Sequence, residues 1–181
     1  ARVDLRQPHA HRGLVQHHRG VVGVETVDDS VWRRVLLMHT VDGTFRDRAD
    51  GKDDGSLLNT GLALEALAVL AEHTPVRASA FSAVGERVEE LSEALADSLT
   101  EDPSLRAVML VLRGLWGLGA ALKQEYAVDV EALRAVASFV VGLRHTRDVA
   151  DGYYVLEALA ALAASPTAKP LVVALARKSV G

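Results

Sequence analysis

The chain contains no cysteine. That absence removes disulfide staples, thiolate nucleophiles and every cysteine-based zinc site, and it leaves the redox compartment open, because a chain without thiols suits any of them. Aromatic residues account for only 4% of the 181 residues. A core drawn instead from alanine, leucine and valine suits closely packed helices better than a β-sandwich, so the expected class is all-α. Asparagine occurs once, at Asn59, and is followed by Thr60-Gly61, so the sequence holds no glycosylation sequon. Charge of neither sign is concentrated: the net charge of -4 comes without an acidic block or a Lys/Arg stripe with interleaved aromatics, which argues against nucleic acid as a partner. A long uncharged apolar run is lacking too. The most apolar stretch, Leu105 to Leu122, carries Arg106 and Arg113 together with Gly117, the pattern of a core helix rather than a membrane span. No charged segment followed by an apolar run opens the chain, which starts on Ala1 and reads as a piece of a longer protein.

What is present is helical punctuation. Residues 1–27 hold Pro8, three glycines and His9, His11, His17 and His18, with no sustained period, and read as a loop or edge segment. A short helix is expected from Val31 to His39 behind a Ser30 cap, followed by a turn at Asp42-Gly43-Thr44-Phe45. Ser56 is placed to cap a helix through Leu57, Leu58, Leu62, Leu67 and Leu70 that stops at Pro75. The next helix is expected from Ser79 to Leu99, with Phe81, Val84, Val88, Leu91, Leu95 and Leu99 on one face. Asp102-Pro103 then opens a helix to Leu122 that is apolar nearly all round and therefore central; its Gly114, Gly117 and Gly119 suit close helix approach. Asp129 caps a helix to His145, and a last helix runs from Tyr153 to Ala164, ended by Ser165-Pro166. Amphipathic and wholly buried helices are thus expected to alternate.

One repeat stands out. Leu64-Glu65-Ala66-Leu67-Ala68-Val69-Leu70-Ala71 returns as Leu156-Glu157-Ala158-Leu159-Ala160-Ala161-Leu162-Ala163, with Gly61 and Gly152 upstream. Two helical hairpins of roughly 46 residues fill the interval, a period typical of stacked helix-pair repeats. Glu65 and Glu157 hold matching positions in it. Converging carboxylates can act as acid and base, but with no nucleophile or metal group in the pattern, a repeated glutamate on an inner helix reads better as a hydrogen-bond acceptor or the lining of a polar groove.

The remaining polar groups read as structural. Adjacent His17 and His18 point apart in any regular element, so the histidine-rich start does not read as a metal clip. His39, His73 and His145 fall at helix C-terminal ends, where imidazole meets the carbonyl dipole favourably. Asp50, Asp53 and Asp54 match neither a calcium loop nor a helical aspartate box, and Trp116, Tyr153 and Tyr154 read as core. No residue is assigned as catalytic, cofactor-binding or metal-binding.

The run Asp42-Gly43-Thr44-Phe45-Arg46, a charged loop, and then Gly61-Leu62-Ala63-Leu64-Glu65-Ala66-Leu67-Ala68 resembles the luminal helical domain of the ribophorin II family, in particular its plant and algal forms. Ser104 to Leu118 and the proline-led Lys169-Pro170-Leu171-Val172-Val173-Ala174-Leu175 resemble later parts of that domain in the same order, so the resemblance covers about residues 42–178. It implies an α/α-toroid-like fold of stacked antiparallel hairpins, here incomplete, with a short extended C-terminal segment. It also implies an accessory, non-catalytic role in the oligosaccharyltransferase complex of protein N-glycosylation, on the luminal side of the endoplasmic reticulum membrane, with other subunits as partners, no cofactor, and membrane attachment only through regions outside this chain. The expected organisation is an N-terminal segment 1–41 with one short helix, a helical-hairpin domain 42–168, and an extended exit segment 169–181. Two alternatives stand beside it: an α/α-toroid enzyme of the prenyltransferase or terpene-cyclase kind, whose zinc set or aspartate-rich motif is not legible here, and a generic helical-repeat adaptor.

Overall fold

The computed structural model describes residues 30–73, 81–101 and 103–178. The four histidines between positions 9 and 18, Pro75, the helix start expected at Ser79 and the cap expected at Asp102 lie outside the described residues. Eight helices run through them: α1 (Ser30–Leu36), α2 (Leu57–His73), α3 (Ser82–Gly85), α4 (Val88–Glu101), α5 (Leu105–Leu122), α6 (Val130–Gly142), α7 (Val149–Ala164) and α8 (Ala168–Lys178). Two isolated bridges, His39 with Phe45 and Phe45 with Ser56, are the extended pairing described. The protein is all-α.

The long helices form two layers. In one, α5 lies between α2 and α7; in the other, α6 lies between α4 and α8, while α6 and α8 also pack on α7. The register of α2 on α5 fixes their relative direction. Gly61 lies against Leu110 and Val111, Leu64 against Gly114, and Ala68 against Gly117, so both helices advance together. The apolar all-round sequence of α5 explains its central place: Val108, Leu112, Leu115 and Leu118 are fully or almost fully buried between its neighbours. By length and composition α5 is apolar enough to cross a membrane, but here it is the core helix.

Several helix ends differ from the sequence reading. At α5 the cap is Ser104, whose hydroxyl accepts the Ala107 N–H at 3.3 Å, and Pro103 precedes the helix. Asp148 starts α7 four residues before Tyr153 by accepting from the amides of Ala150 (2.8 Å) and Asp151 (3.1 Å), so Gly152 lies inside the first turn instead of in a loop. Asp129 caps α6 as expected, accepting from Glu131 and Ala132, but the helix ends at Gly142. The single helix expected from Ser79 to Leu99 is broken at Glu86-Arg87, where the Arg87 N–H turns back to the Val84 carbonyl at 3.2 Å. Val84 and Val88 are both buried across the break, so the apolar stripe runs on and periodicity does not register it.

The segment expected to be extended from residue 169 is helical. Ser165 makes it so: its hydroxyl accepts the Ala168 N–H at 3.2 Å and its carbonyl accepts the Lys169 N–H at 3.0 Å, while Pro170 falls in the first turn, where a missing N–H costs least. Ser165 therefore both ends α7 and begins α8. Nor are α2 and α7 wholly buried. Leu58, Leu62 and Val69 on α2, and Val149, Tyr153 and Leu156 on α7, are exposed.

Candidate functional site

Two polar constructions stand out from this apolar frame. The first is the turn at Asp42, which ties α1, α2 and α4 together. The Asp42 carboxylate accepts from both threonine hydroxyls, Thr40 and Thr44, and from the Thr44 N–H at 3.0 Å. Burial pushes this carboxyl up, but the hydrogen bonds from Thr40 and Thr44 outweigh it, so the group sits below the usual carboxylate range. Gly43 has φ +75°, and a Cβ there would lie 2.5 Å from the Arg87 carbonyl oxygen at the entry to α4. Phe45 is fully buried, with its N–H donated to the Thr60 hydroxyl at 2.9 Å, and that hydroxyl donates to the Ser56 carbonyl at 2.7 Å. His39 stacks on Phe45 with ring centroids 4.6 Å apart. Burial lowers its pKa, a setting different from the helix-end role the sequence suggested. These groups face one another and the backbone, so this motif is a structural knot.

The second lies on the open face of the α2–α5–α7 layer. Glu65 of α2 and Glu157 of α7, the matching residues of the repeat, converge on Arg113 of α5 between them. Glu65 takes the guanidinium Nε in a close charge-assisted hydrogen bond, and Glu157 stands 3.5 Å from one terminal nitrogen. The hydrogen bond to Glu65 raises the Arg113 pKa above its ordinary value. All three charged side chains are partly exposed, so the cluster orients helices more than it stabilises them.

The two glutamates were legible as a pair in the sequence, but their common partner was not. Arg113 showed only as an interruption of an apolar run, although an arginine in such a helix is itself a sign that something acidic faces it. Tyr153, read as core, is half exposed at the edge of this cluster, while Tyr154 and Trp116 do pack against the core. Flanking the charges are Leu58, Leu62 and Val69 from α2 and Val149, Leu156 and Ala160 from α7; on the same stripe of α5, Arg106 is exposed two turns before Arg113, and Gly117 and Ala120 after it are small. The site is a shallow apolar face with an ion-paired centre.

Elsewhere, a pocket of about 470 Å³ opens at the C-terminal ends of α5 and α7, between Trp116, Tyr126, Leu133 and Pro166. Its walls are mostly apolar, and burial raises the Tyr126 pKa. Asp50, Asp53 and Asp54 are exposed in the loop before α2. Among the described residues, no three His, Asp or Glu side chains are grouped to share a metal ion.

No curated protein and no solved structure matches the chain. One protein family does: the ribophorin II N-terminal domain matches residues 47–163, a segment that runs from the charged loop before α2 almost to the end of α7 and holds Glu65, Arg113 and Glu157. That family is the one of the endoplasmic-reticulum subunit of the oligosaccharyltransferase complex, which serves protein N-glycosylation. The match spans more than half of the 181 residues, and the chain belongs to the ribophorin II family.

Proposed function

We propose that this domain is a non-catalytic scaffold of the oligosaccharyltransferase complex, placed on the luminal side of the endoplasmic reticulum membrane and holding other subunits through the open face of its α2–α5–α7 layer. The observation that carries the reading is that the family match takes in the three helices of that face together with its ion-paired centre. The chemistry of the face supports a holding role. Its two carboxylates are directed at a guanidinium and not at a position where a substrate atom could sit between acid and base. Two rows of helices that alternate along the chain, α2, α5 and α7 against α4, α6 and α8, are what an arc of an α/α-toroid would present, and the exposed leucines and valines are the side chains that association buries most favourably.

The test is co-purification. The full-length protein carrying an affinity tag, expressed in its own cells and solubilised in mild detergent, is expected to bring down the other oligosaccharyltransferase subunits in fixed proportion. Recovery of the tagged protein without them would overturn the assignment.

A further inference from the structure

The repeat places α2 and α7 in register, and the two helices use the matched residues differently. Leu57, Gly61, Leu64 and Ala68 of α2 correspond to Val149, Tyr153, Leu156 and Ala160 of α7. On α2 this row faces α5: Leu64 is fully buried, Gly61 and Leu64 lie against Leu110 and Gly114, and Ala68 lies 3.4 Å from where a Gly117 Cβ would stand. On α7 the same row is open. Leu156, the counterpart of Leu64, is 69% exposed, and Val149 is 88% exposed. The wider approach at Tyr153 also differs from Gly61, so a helix seated here would stand further off than α5 stands from α2.

Resting on the scaffold reading above, we propose that the Val149–Tyr153–Leu156–Ala160 face of α7 is a docking site for one apolar α-helix of another oligosaccharyltransferase subunit, laid along α7 as α5 is laid along α2, with a lysine or arginine that reaches Glu157. The helical form of the occupant follows from the repeat: the equivalent row, where it is covered, is covered by an apolar helix. The basic residue follows from charge. Glu65 and Glu157 share one guanidinium, which leaves one negative charge over, and Glu157 is the loosely held member at 3.5 Å with free acceptor capacity. The same ion cluster argues against a lipid surface as the occupant, because three charged groups against hydrocarbon would have to be desolvated.

The experiment uses the full-length protein in the detergent-solubilised complex. A photocrosslinking benzophenone amino acid replaces Leu156, or Glu93 on the exposed side of α4 as a control. Crosslinked peptides are identified by mass spectrometry, and Leu156→Asp and Glu157→Gln are scored for subunit recovery beside wild type. The expected result is a crosslink from position 156, absent from position 93, to a helical segment of another subunit whose apolar residues recur every three or four positions around a lysine or arginine. Leu156→Asp should lower recovery of that subunit about tenfold and Glu157→Gln about threefold. The thermal melt of Leu156→Asp should match wild type, because its side chain is exposed. If wild type brings down the subunits and Leu156→Asp does so equally well, or if the position-156 crosslink goes to lipid, to a second copy of the chain or to a non-helical segment, the docking inference is wrong while the scaffold reading stands. If wild type itself brings down none of them, both fall.

Discussion

Gly114 lies directly beneath Leu64: a Cβ on Gly114 would come within 2.6 Å of the Leu64 Cβ and 2.8 Å of the Glu65 amide nitrogen. The crossing of α2 and α5 therefore requires a glycine on α5, and Gly61 plays the same part on α2 against Leu110. Gly114→Ala is expected to force the helices apart and cost about 1–3 kcal/mol, as overpacking does. Gly152 is the internal control. Among the described residues nothing lies within 4 Å of a Cβ there, so Gly152→Ala in the first turn of α7 should be neutral or stabilise by about 0.4–1 kcal/mol. Urea melts of the two variants should move in opposite directions or differ by that margin.

Lys123 closes α5 in the left-handed region, with φ 55° and ψ 40°, while its own N–H and that of Gln124 satisfy the carbonyls of Ala120 and Gly119. The hydrogen bonds are those of a glycine-terminated helix, but the residue carries a Cβ. Lys123→Gly should keep both bonds and relieve the steric cost, raising stability by about 1 kcal/mol, read as a higher denaturation midpoint with an unchanged slope. An unchanged or lower midpoint would show that the Lys123 side chain contributes more than its backbone conformation costs.

Thr60 is fully buried and uses its hydroxyl twice, accepting from the Phe45 N–H and donating to the Ser56 carbonyl. Thr60→Val keeps the shape and strands the Phe45 N–H, an expected loss of about 1–3 kcal/mol. Amide hydrogen exchange at Phe45 should rise in parallel, which distinguishes a lost bond from a general loosening.

Burial disfavours the charged form of the His39 imidazole and lowers its folded pKa below the ordinary value of 6.5. The unfolded chain then binds its proton at higher pH than the folded one. The contribution of this group to stability is therefore constant above the ordinary histidine range and falls as the pH drops through it, levelling out only below the folded pKa. The nearby charges of Arg87, Asp42 and Glu90 act on the imidazole in opposing directions and do not reverse the lowering. Wild type should lose melting temperature between pH 7 and pH 5, and His39→Phe, which keeps the ring stacked on Phe45, should flatten part of that slope.

The sequence made the core helix readable because Leu105 to Leu122 is apolar on every side, and it made α6 readable because Asp129 sits one residue before a 3.6-residue stripe. It showed that Glu65 and Glu157 correspond, through repetition. It did not show that they meet, because Arg113 is brought to both by packing between helices far apart in sequence, and spacing within one helix carries no record of what crosses it. The exposed faces of α2 and α7 were hidden for a related reason: a helix apolar all round looks buried whether or not every side has a neighbour. Helix α8 is not expected from the sequence because Ser165-Pro166 reads as a stop and the proline-led segment from Lys169 resembles an extended one, whereas Ser165 turns the chain into a new helix.

As the proposed scaffold, this domain holds other subunits and takes no part in bond making or breaking. The most direct measurement is glycan transfer to an acceptor peptide by purified oligosaccharyltransferase containing the double variant Glu65→Gln, Glu157→Gln, with complex yield determined on the same preparation. Turnover per assembled complex is expected to equal that of wild type, whatever happens to the yield. A complex recovered in normal amount whose turnover falls by about two orders of magnitude, the scale of losing an acid or base, would contradict it.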